Sequence, residues 1–480
     1  MAKVISQIVT LLLRTCTLMI MARLLDPKDF GLVGMVTAMI GIFSVFRDFG
    51  LSAAAVQRAT ITPEQSSTLF WINLLVGATL SLLTMSLGPF VAHFYHQPHL
   101  VEVTAVLATA FFFNAAGVQH TSLLERQMRF VTLSVIDMLS LFISTSTGIL
   151  MALHGCGYWS LVATTTVTPL IYSISVWIIA RWIPGRPHRR MGILSMMRFG
   201  GTLTLNGLVM YLALNLDKIL IGRFCGVEAL GIYGRAYQLI NIPTDNLNSA
   251  AGGVAFAALS RLQHDPERMR SYFLKGYSFV LSLTVPIAIV CGLFANDMIH
   301  VFLGAKWGSA VPIFRLLVPT TVGLAILVPI GWLLSACGLV GRGLKISLML
   351  APLLIAGYAI GLHWGPAGVA VAYSSVMALS VIPILAWAVR GTPVVLRDLL
   401  LAMGRPILSG IVAAATAFGL QMLWGGVLSP LLRLVAGVVA VTCVYVWMLI
   451  YVMQQKQLYG EIIKGFLGKT TTEEQLVVPA

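Results

Sequence analysis

"ARLLDPKDFGL", residues 22–32, interrupts two long apolar runs with a charged, proline-containing connector, and a like phrase, "GRFCGVEALGI", stands at 222–232. In the first copy Asp26 is suited to cap a helix, Pro27 to its first position and Asp29 to its positive first turn. The phrase therefore ends one helix and starts the next abruptly. In the second copy Gly226 takes the cap position and Glu228 supplies the first-turn acid. Arg23 matches Arg223, Gly31 matches Gly231 and Gly34 matches Gly234, at a constant offset of 200 residues. A second echo pairs "LHGCGYWSLV" (153–162) with "LHWGPAGVAVA" (362–372). Glycine and arginine do recur at membrane boundaries, but these echoes fall at equivalent places in the span order, as an internal repeat requires.

The chain has 480 residues, of which 58% are hydrophobic and 10% charged. A soluble domain carries about 25% charged residues, so this chain is expected to be an integral membrane protein. Runs of about 20 apolar residues are needed to cross a bilayer. Fourteen candidates occur, at 4–24, 30–55, 67–88, 100–120, 130–153, 158–182, 199–221, 229–256, 274–296, 311–336, 343–362, 366–389, 401–424 and 429–453. The N-terminal run lacks a small-residue cleavage site and reads as a retained first span. The tail "GKTTTEEQLVVPA" (468–480) reads as solvated.

The net charge of +14 sits in short connectors and not on a nucleic-acid-binding face. Connectors after even-numbered spans carry most of the basic residues, among them Arg126, Arg129, Arg186, Arg189, Arg190, Arg268, Arg270, Arg342 and Arg390. Those after odd-numbered spans carry Arg23, Lys28, Arg223, Lys306 and Arg433. This bias places both termini in the cytoplasm, and an even span count agrees. The predicted architecture is all-α, with two pseudo-symmetric six-helix halves, 1–182 and 199–390, joined by a basic linker at 183–198. Two extra transmembrane helices at 391–455 and a cytoplasmic tail at 456–480 follow. Halves of six spans run parallel, an arrangement that lets transporters place a site between repeats.

The six cysteines form no CxxC and read as small apolar residues. His93, His96 and His99 in "HFYHQPH" read as an interfacial cluster, not a metal site, because Pro98 breaks the face and a fourth ligand is missing. Trp159, Trp182 and Trp307 near span ends read as interface anchors.

The stretch "MARLLDPKDFGLVGMVTAMIGIFSVFRDFGLSAAAVQR" (21–58), with "LERQMRF" (124–130), resembles the signature of bacterial polysaccharide-export flippases. These are Wzx-like and colanic-acid-exporter-like proteins of the multidrug/oligosaccharidyl-lipid/polysaccharide exporter superfamily. Relatives usually carry a longer basic, amphipathic N-terminal segment, and here the chain departs from them. The resemblance implies transfer of an undecaprenyl-diphosphate-linked oligosaccharide across the bacterial inner membrane for O-antigen, capsule or exopolysaccharide export. It implies a central cavity working by alternating access. It also implies a lipid-linked oligosaccharide cargo and polysaccharide polymerase and chain-length proteins as partners. No cofactor is expected beyond a coupling proton or sodium ion.

Charges inside spans are costly and face a cavity or a partner. Arg14, Arg47, Asp48, Asp137, Asp217, Lys218, Arg235, Asp245 and Arg315 are such charges. A diphosphate leaving the headgroup region needs fixed cations in place of lost hydration. Arg14, Arg47, Lys218 and Arg235 are therefore candidate substrate contacts, with Asn215 and Asn241 for sugar hydroxyls. Asp48, Asp137, Asp217 and Asp245 are candidates for the coupling ion, and Asp137 and Asp245 have no adjacent basic residue. The structural alternative is pairing within Arg47–Asp48 and Asp217–Lys218, or a headgroup contact for Arg14. Asn side chains also bond helix to helix. Pro243, Gly252 and Gly253 make the eighth span a candidate gating helix.

An ion-coupled multidrug extruder of the same superfamily is the alternative function, although it would favour an acidic pocket. A membrane glycosyltransferase or polymerase would place catalytic groups in a sizeable outer loop, and the outer loops here are short. "GLVGRGLK" (338–345) does not match a P-loop. An enzyme is not expected.

Overall fold

The computed structural model describes residues 2–45, 63–186, 193–423, 428–456 and 459–460; side chains at 2–8, 63, 193–206, 245–251, 253–254 and 257 lie outside that description. Arg47, Asp48, Arg58, Arg189 and Arg190 are thus outside the described residues, as is the side chain of Asp245.

The chain is helical, with no strand among the described residues. Its helices are α1 (Ala2–Leu24), α2 (Pro27–Ser44), α3 (Pro63–Ser86), α4 (Gly88–Tyr95), α5 (Leu100–Arg126), α6 (Phe130–Leu153), α7 (Trp159–Ala180) and α8 (Ile193–Phe224). They continue as α9 (Val227–Arg261), α10 (Pro266–Leu293), α11 (Ala295–Phe302), α12 (Ala310–Ala336), α13 (Val340–Gly361), α14 (Gly365–Ala388), α15 (Leu396–Leu423) and α16 (Pro430–Trp447). Each apolar run expected from the sequence coincides with one long helix over its described residues. Nine segments among those residues are long and apolar enough to cross a bilayer, and one of them, Val340–Ala388, takes in both α13 and α14.

Two short helices, α4 and α11, lie where the sequence suggested plain connectors. Both follow the third long helix of a six-helix set. Pro89 suits the first turn of α4, and His96 ends it in the left-handed region at φ 56°. In α11 Ala295, Asp297 and Ile299 are buried, with Asn296 and His300 exposed, and Leu303 just beyond its end is buried again. So short an amphipathic segment is hard to see beside longer apolar runs.

The chain groups into two compact units. One comprises 1–242, 299–317 and 344–376; the other comprises 243–298, 318–343 and 377–480. Within α9 the division falls at Pro243, and within α12 it falls beside Pro319. Proline removes a ladder hydrogen bond and crowds the preceding turn, which makes these the weak joints of their helices.

In the first unit α3 packs on α5, α5 and α6 on α7, α1 on α6, and α2 on α8. The two copies of the repeated phrase touch each other reciprocally. A Cβ on Gly31 would lie 1.8 Å from the Val227 carbonyl oxygen, and one on Gly231 would lie 1.9 Å from that of Pro27. Residue 27 matches 227 and residue 31 matches 231, so this is a self-complementary contact about a local two-fold axis. Glycine at both positions lets the first turns of α2 and α9 meet backbone to backbone. Lys28 and Glu228, themselves equivalent positions, pair at 3.8 Å on the exposed rim.

The turn at 304–308 closes over the end of α1. Lys306 Nζ donates to the carbonyls of Arg23 and Leu25 and lies 3.2 Å from Asp26 Oδ1. Arg23 Nη2 donates to the Val301 carbonyl at 2.9 Å. Trp307 Nε1 donates to the Ala22 carbonyl at 2.9 Å, with its ring fully buried. The carbonyls at a helix C-terminus have no intrahelical donors, and these three side chains supply them. Trp307 is thus a core residue and not the interfacial anchor expected from its position.

In the second unit α10 packs on α15 and α15 on α16. Arg270 grips Asp398 with two parallel bonds, Nε to Oδ2 and Nη2 to Oδ1, both 2.7 Å. Arg433 pairs with the nearly buried Asp297 at 3.0 Å.

Candidate functional site

Among the described residues Asp217 is the most deeply enclosed of the expected intramembrane charges, with no exposed surface. Its neighbour Lys218 does not pair with it. The Lys218 ammonium donates to Asn215 Oδ1 at 2.8 Å, one helical turn back, and sits 4.4 Å from the centre of the Tyr237 ring. The Asp217 carboxylate instead accepts a 2.6 Å bond from the Tyr233 hydroxyl at Oδ2. Its Oδ1 is buried with no hydrogen-bond partner among the described residues. The alternation of faces along α8 explains the divergence, because adjacent residues on a helix point about 100° apart.

Tyrosine rings wall this carboxylate. Tyr233 stacks on Tyr237, Tyr237 on Tyr373, and Tyr358 meets Tyr373 edge-on with centroids 5.7 Å apart. Tyr358 donates its hydroxyl to the Ala213 carbonyl at 3.1 Å, one turn before Asp217. A buried carboxylate oxygen without a donor is costly. A proton or a small cation at Oδ1 would relieve that cost, which is what a coupling site must do reversibly.

Arg235 lies on the same helix as Tyr233 and Tyr237. Its guanidinium carbon is 3.8 Å from the centre of the Phe30 ring, and Nη1 donates to Gln238 Oε1. Neither Lys218 nor Arg235 forms an ion pair with a carboxylate among the described residues. Both cations are held by a neutral amide and an aromatic face.

The other expected residues fall elsewhere. Arg14 and Asp137, on the packed pair α1 and α6, are within electrostatic reach of each other, and both are exposed. Asn241 is buried and Asn215 is engaged with Lys218. Arg315 is exposed near the start of α12. Among the described residues no three His, Cys, Asp or Glu side chains come together as metal ligands. The sequence reasoning missed Phe30, Tyr233, Tyr237 and Gln238, the residues that hold these charges. The Gln238 signal was available, since it lies three residues after Arg235 and so shares its face.

A bundle of long apolar helices, with half-buried cations that no described carboxylate pairs and a buried half-satisfied carboxylate, defines a class, the multi-span membrane transporter. The fold matches a solved structure of the lipid II flippase MurJ in an inward closed conformation, with a TM-score of 0.74 over 95% of this chain and 98% of that one, at 14% identity. The chain belongs to the polysaccharide biosynthesis protein family, whose model matches residues 20–312. Among its relatives are the teichuronic acid biosynthesis protein TuaB of Bacillus subtilis, 31% identical over 293 residues, and the lipopolysaccharide biosynthesis protein WzxC of Escherichia coli, 26% identical over 348 residues. The matched stretch is 61% of this chain and 61% of TuaB, and 71% of this chain and 70% of WzxC.

Proposed function

We propose that this protein is a flippase that carries a polyprenyl-diphosphate-linked oligosaccharide, of the undecaprenyl type, across the bacterial inner membrane for surface polysaccharide export. The observation that carries this reading is the pair Lys218 and Arg235. Each is a cation on a helix that the sequence reads as a span, 199–221 and 229–256, held by an aromatic face and an amide, with donors left for a phosphate oxygen. In a low-dielectric interior such cations favour an anionic cargo, and arginine offers paired donors to it. The same feature disfavours the alternative, an extruder of organic cations.

In this reading Lys218, Arg235 and, from the sequence, Arg14 and Arg47 meet the diphosphate, while Asn215 and Asn241 offer hydrogen bonds toward sugar. Asp217 is the foremost site for a coupling proton or sodium ion; Asp48, Asp137 and Asp245 remain further candidates. Alternating access then moves two six-helix halves, 1–182 and 199–390, against each other, with the proline joints of α9 and α12 as flexing points. Both termini face the cytoplasm, and the polymerase and chain-length proteins act on the delivered cargo.

The test is flipping in proteoliposomes. The expected result is that a fluorescent polyprenyl-diphosphate oligosaccharide crosses the bilayer only when the protein is present, while a lipophilic cation does not. Efflux of the cation without movement of the lipid-linked sugar would overturn the proposal in favour of the extruder.

A further inference from the structure

The Arg235 contacts differ from those of an ordinary buried arginine, which is usually neutralised by a carboxylate at its N–H edge. Here the guanidinium carbon sits at van der Waals distance from the centre of the Phe30 ring. An edge-on approach would interpose the nitrogens and hold that carbon farther away, so the group lies flat on the ring. Face stacking on an aromatic is attractive because the ring face is electronegative. It uses none of the five N–H donors. One nitrogen, Nη1, is engaged by Gln238, which fixes rotation within the plane.

Phe30 is itself held. It is 4% exposed and meets Trp307 edge-on, with centroids 5.5 Å apart and planes at 64°. Trp307 in turn is anchored on the Ala22 carbonyl. The ring beneath Arg235 is therefore immobilised from the end of α1.

We propose that Phe30 is a positioning residue for cargo binding: it holds the Arg235 guanidinium by its face, so that the edge away from Gln238 is presented to a diphosphate oxygen. Arginine loses rotamer entropy when it binds a ligand, and a prior stack removes part of that cost. The inference rests on the reading of Arg235 as a contact for the diphosphate, and the experiment separates the two.

The protein, full length and in nanodiscs, is titrated with geranyl diphosphate, a short soluble polyprenyl diphosphate. Phe30 is replaced by mono-, di- and trifluorinated phenylalanine, which keep the ring's shape but progressively drain its face of negative charge. The expected result is that Arg235→Ala weakens binding at least tenfold and that the fluorinated series weakens it stepwise, several-fold by the trifluorinated ring. If Arg235→Ala weakens binding and all three fluorinated proteins bind as the parent does, Phe30 contributes packing alone and the positioning role is overturned, with the Arg235 contact intact. If Arg235→Ala binds as the parent does, the diphosphate reading of Arg235 falls and the inference falls with it.

Discussion

At the scale of single residues, Asp217 illustrates what sequence reading reaches and what it does not. Its place in an apolar run marked it as costly and therefore purposeful. The sequence also offered Lys218 as its partner, which would have made the pair structural. The structure turns Lys218 away and puts the Tyr233 hydroxyl on the carboxylate. A partner sixteen residues distant on another helix leaves no local trace. Tyr233→Phe removes that bond and leaves a buried carboxylate oxygen bare, so it should cost about 1.5–3 kcal/mol, read from thermal or denaturant unfolding in detergent. A variant as stable as the parent would mean that the carboxylate is already neutral or otherwise satisfied. Asp217→Asn keeps the shape and removes the titrating group. Transport by that variant should lose its dependence on a proton or sodium gradient; an unaltered dependence would assign coupling to another carboxylate.

At the scale of elements, the repeated phrase was legible as a helix boundary. Pro27 does open α2, Asp26 does precede it as the cap position, and the Asp26 N–H donates to Asp29 Oδ2 at 3.0 Å. The sequence did not show why Gly31 and Gly231 share one offset. They sit at the same backbone crossing, each against the first residue of the other copy's helix, Val227 and Pro27. Gly31→Ala and Gly231→Ala should therefore each destabilise by about 1–3 kcal/mol, the usual cost of forcing extra volume into a packed site. Gly234→Ala, one turn on and with nothing within 4 Å of the added carbon, serves as the control and should be neutral or better. Equal unfolding midpoints for all three would contradict the close contact. The short helix α11 and the 304–308 turn were illegible for a related reason. Lys306, Arg23 and Trp307 act on carbonyls about 280 residues away in sequence, and backbone acceptors carry no side-chain signature.

At the scale of the whole molecule, composition and hydropathy told the most. Dilute charge and long apolar runs identify an integral membrane bundle whatever the packing, because every backbone group must be satisfied within a helix. The distribution of arginine and lysine predicts an orientation with both termini in the cytoplasm, and native cysteines test it. Cys156, exposed between α6 and α7, should react with a membrane-impermeant maleimide in intact cells. Cys337, between α12 and α13, should react only after permeabilisation. Burial holds the Cys337 thiol above the ordinary thiol range, against the opposing pull of Arg342. Because the thiolate is the reactive form, its labelling in permeabilised cells should be slow at neutral pH and accelerate as pH rises. The reverse pattern of access would invert the topology. The site itself was legible only as a list of charges. Which of them remain uncompensated depends on aromatic rings and amides brought up by the fold, and hydropathy does not see that choice.

The most direct test of the central claim is the flipping rate of a fluorescent polyprenyl-diphosphate oligosaccharide in proteoliposomes, measured for the parent protein, Arg235→Ala and Lys218→Ala. The account predicts transport by the parent and at least a tenfold loss in each correctly folded variant, a difference of about 1.4 kcal/mol or more in the barrier. Undiminished transport by both variants would show that these cations do not carry the diphosphate.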